Sequence, residues 1–147
     1  MIKSGIKYPE MRAELLSYIS DLSDFLYQKT YWNSEGKIQA LKKTGKEHGF
    51  DFSVHFLYDD TSLADDAEGC IGSFLKDKDE AKAIKKVVDS LDIIFDKYGL
   101  DLSDEKYILK PEWNEVLESA KDALKVLQKN EGCGDGIDTP VRLPNKA

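Results

Sequence analysis

The sequence predicts an all-α protein, a single small helical domain of about five helices. The chain has 147 residues and a mass of 16.6 kDa, which suits one domain. Apolar residues recur at spacings of three and four over long stretches, as is typical of amphipathic helices that pack on a common core. Segments rich in glycine, proline and asparagine separate these stretches and mark their ends.

The first predicted helix covers residues 9–28. Pro9 suits its first turn, because the N–H that proline lacks is not needed there. The apolar stripe of this helix consists of Met11, Leu15, Tyr18, Leu22 and Phe25. From residue 29 to 49 the periodicity breaks, and the pattern predicts only a short helix across residues 38–41.

Residues 50–58, FDFSVHFLY, fit two structures. Alternation of apolar and polar residues at the start of the segment favours a strand. If Asp51 caps a helix instead, Phe52 and Phe56 share one helical face. We predict a helix because the neighbouring segments are helical. The alternative is an α+β fold with one or two short strands near residues 50–58.

The second half of the chain contains the clearest helical pattern. Residues 78–98 carry acidic residues in the first turn, where the helix dipole favours them, and Gly99 follows as a stop. Asp65 or Asp66 would cap a shorter helix before it, with Ile71, Phe74 and Leu75 on the buried side. A final helix begins after Pro111. We therefore expect one helical domain over residues 1–130 and a Gly/Pro-rich tail over 131–147.

The net charge of −7 is concentrated in one part of the chain. Residues 51–80 carry nine acidic and two basic side chains, a net charge equal to that of the whole protein. An acidic face of this kind can dock on a basic partner, hold a hard metal ion, or simply stay solvated. The spacing matches no EF-hand loop, so we predict no metal site. The candidate partner-binding residues are Asp59, Asp60, Asp65, Asp66, Glu68 and Asp77.

The sequence predicts no catalytic residue and no cofactor. P-loop, dinucleotide-binding and HExxH motifs are absent from the 147 residues. On a helix, His55 would face Asp59, and such a pair could act in acid–base chemistry. Ser53 and Cys70 are the nearby candidate nucleophiles, but neither stands in a recognisable catalytic context. We therefore interpret His55 as a core histidine that is satisfied by a hydrogen bond.

Charge and hydropathy also bear on partners and location. The pI near 4.9 argues against direct binding of nucleic acid. No run of apolar residues is long enough to cross a membrane, and the first ten residues do not form a signal peptide. We expect a cytoplasmic protein that is a monomer or a weak homodimer and acts through a protein partner.

The segment Val54–Leu75, VHFLYDDTSLADDAEGCIGSFL, resembles a family of small acidic bacterial proteins. That family has a V-H-F-L-[FY]-D-D-T core followed by an acidic stretch, an I-G pair and an apolar helix. The resemblance covers roughly residues 50–128 and rests on His55, Asp59, Asp60, Thr61, Ile71, Gly72, Tyr107 and the Pro111–Trp113 pair. Members of the family look like immunity proteins of bacterial toxin systems, including contact-dependent inhibition.

The resemblance implies that the protein binds and neutralises the toxic C-terminal domain of a bacterial toxin. If that toxin is a nuclease, the acidic surface would dock on its basic active-site cleft, which is built to hold phosphates. The alternative hypothesis is a small non-catalytic regulatory or adaptor protein with a different protein partner. An enzyme that uses His55 and the carboxylates is the third hypothesis.

Overall fold

The computed structural model describes residues 6–44 and 49–132, and within them the protein is all-α and has no strands. The predicted fold class is confirmed, and the α+β alternative is wrong because residues 50–60 are helical. There are eight α-helices in these ranges rather than about five. Their bounds are α1 Pro9–Leu22, α2 Phe25–Tyr31, α3 Ser34–Thr44, α4 Phe50–His55, α5 Leu63–Asp66, α6 Lys78–Tyr98, α7 Asp104–Tyr107 and α8 Trp113–Gly132.

The helix predicted over residues 9–28 is two helices, α1 and α2. The side chain of Asp24 accepts a hydrogen bond from the backbone N–H of Tyr27 at 3.0 Å and so begins α2 as its N-cap. The apolar spacing runs unbroken from Leu22 to Phe25, which hides the break from a periodicity argument. Phe25 is in fact exposed, whereas Leu22 is buried.

Helix α6 has the predicted bounds. Gly99 has a φ of 82°, a left-handed conformation that favours glycine, and its N–H donates to the Phe95 carbonyl at 2.8 Å. The short helix predicted near residue 65 is different, because α5 ends at Asp66 and residues 71–75 are not helical. Phe74 and Leu75 nevertheless reach the core, so this segment is buried without being a helix.

The core lies where the long helices meet. α6 packs along α8, and α1 also packs on α8. Five aromatic rings form one group in this core, centred on Phe50, whose ring centroid lies 5.2 Å from that of Trp113. The rings of this group belong to Trp32, Phe50, Phe95, Tyr107 and Trp113.

Helix α8 continues past the expected domain boundary at residue 130. It includes Glu131, whose carboxylate pairs with the guanidinium of Arg12 on α1. The last two residues of α8 therefore belong to the folded part of the chain. The rest of the predicted tail, residues 133–147, lies outside the described residues, as do residues 1–5 and 45–48.

Candidate functional site

Five of the six predicted docking residues lie on one exposed segment between α4 and α6. Two are on the π-helical segment Phe56–Asp60, two on α5, and one on the short 3₁₀ turn Glu68–Cys70. All five side chains are exposed. We call them the acidic surface: Asp59, Asp60, Asp65, Asp66 and Glu68.

The π-helical segment explains why the motif VHFLYDDT divides into buried and exposed residues. Phe56 and Leu57 point into the core, whereas Asp59 and Asp60 are exposed. Segments of π-helix are rare and occur often at functional sites. The wider turn thus presents the two carboxylates from a backbone that is anchored by two buried apolar side chains.

Thr61 ends the π-helical segment through its side chain. Its Oγ1 donates to the carbonyl of Phe56 at 2.8 Å and accepts a hydrogen bond from the N–H of Leu63 at 3.2 Å. One hydroxyl thus joins the end of the π-helical segment to the start of α5. The threonine of the motif therefore fixes the backbone on which the acidic surface is built.

Tyr58 ties the same segment to α6. Its hydroxyl donates to the carboxylate of Asp92 at 2.6 Å. Burial and this hydrogen bond both raise the pKa of Tyr58, so the phenol keeps its proton at physiological pH. The tyrosine of the motif therefore fixes this segment against α6.

His55 and Asp59 face each other as the sequence predicts, with Nδ1 and Oδ2 2.8 Å apart. The interpretation of His55 as a core residue is wrong, because its side chain is 65% exposed.

Ser53 is buried, so its hydroxyl is not open to a substrate. Burial raises the pKa of the Cys70 thiol, which disfavours the thiolate that a nucleophile needs.

An open groove of about 460 Å³ runs beside the acidic surface. Asp59, Asp60 and Asp65 line it together with apolar and aromatic side chains from the N-terminal end of α1, from the π-helical segment and from the segment before α6. Tyr8 is half exposed there and Phe74 is buried. Protein–protein contacts commonly combine aromatic side chains with polar and charged ones. The groove residues that supply the apolar and aromatic part are Tyr8, Met11, Tyr58 and Phe74.

The carboxylates of the acidic surface lack basic partners within the described part of the chain. Among residues 6–44 and 49–132, no lysine or arginine forms an ion pair with any of the five. Asp66 accepts a hydrogen bond from the N–H of Gly69 at 3.1 Å, and Asp59 meets His55. The surface therefore presents a dense negative charge that the described protein does not neutralise.

Asp77, the sixth predicted docking residue, has a different role in the structure. It caps α6 by accepting from the N–H of Glu80 at 3.0 Å, and it accepts a second hydrogen bond from the Asn130 amide at 3.2 Å. It lines a separate groove of about 300 Å³ between α6 and α8. Its place in a docking surface stays a prediction, and we do not include it in the acidic surface.

The sequence reasoning missed a buried ionic network that joins α1, α6 and α8. The Arg12 guanidinium meets both carboxylate oxygens of Glu80 at 2.9 Å, and Glu80 is fully buried. Asn130 donates to the same carboxylate at 2.6 Å. Burial lowers the pKa of Arg12, but the hydrogen bonds to Glu80 and Glu131 outweigh it, so the pKa of Arg12 is raised. This network is buried where the three helices meet and holds them together.

Two further findings concern membranes and metals. None of the described helices is both long and apolar enough to cross a bilayer. Within the described ranges, no three histidine, cysteine, aspartate or glutamate side chains are grouped as a metal site requires.

A family model described as a domain of unknown function (DUF7945) matches residues 6–135 of the chain. Since this match spans most of the sequence, the protein belongs to that family. The matched residues include the acidic surface, the groove beside it and the buried ionic network. Comparisons with curated proteins and with solved structures give no match.

Proposed function

We propose that this protein is an immunity protein. It binds the toxic C-terminal domain of a bacterial contact-dependent inhibition toxin, or of a related toxin, and blocks its activity in the cytoplasm. The toxin domain is a nuclease, and the acidic surface docks on its basic active-site cleft. The single observation that carries this proposal is the set of five exposed carboxylates, which no described lysine or arginine neutralises.

Electrostatics supports a nuclease as the target. A cleft that binds nucleic acid is lined with lysine and arginine, because the ligand is a chain of phosphates. Closely spaced carboxylates can occupy the same positions, and complementary charge speeds the encounter of the two proteins. A basic partner gives Asp60 and Asp65 the cations that the described part of the chain does not supply.

The groove beside the acidic surface favours a close contact with a protein partner over a purely ionic contact. Tyr8 and Tyr58 line it beside the aspartates, and tyrosine is enriched among residues that carry binding energy. A lysine or arginine side chain of the toxin can pack its aliphatic stem on these rings and place its charge at Asp59 or Asp60. The same surface therefore combines attraction at long range with contact area at short range.

The hydrogen bonds that hold the acidic surface in place support a binding site that is already formed in the free protein. Thr61 and Tyr58 each hold the π-helical segment by a side-chain hydrogen bond, at 2.8 Å and 2.6 Å. A partner then pays little conformational entropy to order the carboxylates on binding. We expect the free and bound conformations of residues 56–70 to be closely similar.

The experiment is a pull-down from the native bacterium with the tagged full chain, followed by mass spectrometry and a growth assay. We expect recovery of one large toxin. We also expect that producing its C-terminal domain stops growth, and that co-production of this protein restores it. Recovery of a metabolic or regulatory protein alone would instead support the adaptor hypothesis and contradict the immunity proposal.

A further inference from the structure

The exposed face of α3 has no covering element among the described residues. Ile38 and Leu41 lie about one turn apart on this helix and are 55% and 44% exposed. Within the described chain, α3 packs chiefly on the neighbouring helix α2. Two large aliphatic side chains on one helical face are therefore left to solvent.

Charged residues flank this apolar pair, with an acidic residue at the start of α3 and basic residues at its end. Glu35 lies in the first turn of α3, and Lys42 and Lys43 lie in the last turn. Glu35 and Lys42 are about two turns apart, so they fall on the same side of the helix as each other, next to Ile38 and at the edge of the apolar pair. None of these three charged residues forms an ion pair within residues 6–44 and 49–132.

The closest part of α3 to the body of the protein lies on another side of the helix. Gly36 is buried against α2, where an added Cβ would meet the Cα of Tyr31 at 2.7 Å. Lys37 reaches the buried carboxylate of Asp104 at 2.8 Å. The close approach of Gly36 to α2 lies roughly opposite Ile38 and Leu41 around the helix, so the face that bears these two residues stays outward.

We propose that the α3 face binds a second copy of this chain, with the two α3 helices antiparallel about a two-fold axis. In that arrangement Ile38 of one copy faces Leu41 of the other, and the reverse holds at the same time. Glu35 of each copy then meets Lys42 of its partner. The antiparallel arrangement also places the positive end of each helix dipole beside the negative end of the other.

The arrangement of charges on α3 favours a second copy of the chain as the partner of this face. A parallel arrangement would place glutamate against glutamate and lysine against lysine, whereas the antiparallel one pairs opposite charges twice. The excess negative charge of the protein lies in residues 51–80, outside α3, so it does not gather at this contact. Because α3 is a short helix, the contact area is small and the dimer is a weak one.

The test is sedimentation equilibrium of the full chain and of charge variants over a wide concentration range. We expect the mass to rise from 16.6 kDa towards twice that value as concentration increases. Glu35→Lys alone and Lys42→Glu alone each place like charges together, so each raises the dimer dissociation constant about ten-fold or more. The double variant Glu35→Lys/Lys42→Glu restores opposite charges across the axis and returns dimerisation towards that of the wild type.

Glu118→Lys on α8 is the matched control, since it makes the same change of charge at an exposed site away from α3 and leaves the dimer intact. Circular dichroism verifies that each variant keeps its helical content. A mass that stays at that of the monomer up to millimolar concentration would overturn the proposal and leave the α3 face to a different protein. Equal loss in both single variants without rescue in the double variant would also overturn it.

Discussion

Arg12 on α1 and Glu80 on α6 form a bidentate ion pair inside the core, with both N–O distances at 2.9 Å. Arg12 also donates to the Phe74 carbonyl at 3.0 Å, and Glu80 accepts from the Lys76 N–H at 2.7 Å. These bonds satisfy two charges that burial would otherwise make costly. The pair thereby holds α1 and α6 in one arrangement.

Replacing Arg12 by methionine leaves the carboxylate of Glu80 buried without its cation. We expect Arg12→Met to lower the free energy of unfolding by about 3 to 5 kcal/mol, as in other broken buried pairs. Urea denaturation measures this change. Lys85→Met removes the exposed pair of Lys85 with Asp89, and we expect a loss within about 1 kcal/mol from this control. Similar losses in the two variants would contradict the structural role of Arg12.

We expect the hydroxyl of Thr61 to contribute to the stability of the folded protein. Thr61→Val keeps the shape of the side chain but removes the bond to the Phe56 carbonyl and the acceptor for the Leu63 N–H. We expect a loss of about 1 to 3 kcal/mol in stability. Thr61→Ser keeps the hydroxyl and serves as the control, with a smaller loss. Equal effects of the two substitutions in thermal denaturation would show that the hydroxyl does not hold the π-helical segment.

Glu112 gives the protein a specific acid dependence. Hydrogen bonds from Lys97 at 2.6 Å and from Tyr98 at 2.7 Å lower the pKa of Glu112 from 4.5 to about 2. Because the pKa is lower in the folded state, the contribution to stability is complete above pH 4.5 and is lost as the pH falls towards 2. We expect Glu112→Gln to reduce the loss of stability over this range.

Denaturation curves at several pH values between those limits test the role of Glu112. Glu118→Gln on α8 is the matched control, because its carboxylate meets only Lys121, at 3.8 Å, among the described residues. We expect the control to keep the acid dependence of the wild type. An unchanged slope in Glu112→Gln would contradict the assignment.

Gly36 should resist substitution although it lies in a helix. Alanine has the higher helix propensity by about 1 kcal/mol, so propensity alone predicts stabilisation. The added Cβ would meet the Thr30 carbonyl oxygen and the Tyr31 Cα, which are backbone atoms that cannot move freely. We expect Gly36→Ala to destabilise by about 1 to 3 kcal/mol. Gln39→Ala, at an exposed site on α3, is the control and should change stability by less than about 0.5 kcal/mol.

The spacing of apolar residues was sufficient to predict the long helices. The stripe of α6 and the glycine that follows it define the helix from Lys78 to Tyr98, because a long amphipathic pattern has few alternatives. The division at Asp24 was not predictable from apolar spacing, since a side-chain cap overrides an unbroken stripe. The π-helical segment likewise depends on the hydrogen bond of Thr61, which no period reveals.

The sequence did carry a signal for the buried pair that was missed. Arg12 stands on the same stripe as Leu15 and Ile19, and Glu80 on the same stripe as Ile84 and Val87. A charged residue on the buried side of each of two helices predicts that the two meet. The acidic surface, by contrast, was visible as a local excess of charge, although its separation from Asp77 required the fold.

The most direct test of the central claim is the dissociation constant of the complex with the toxin domain, measured by calorimetry. Asp60→Lys/Asp65→Lys reverses two charges that make no hydrogen bond within the described residues, and we expect about 10- to 100-fold weaker binding. Glu118→Lys/Asp122→Lys on α8 makes the same change of charge elsewhere and should bind as the wild type does. Equal affinities for the two variants at physiological salt would contradict docking through the acidic surface.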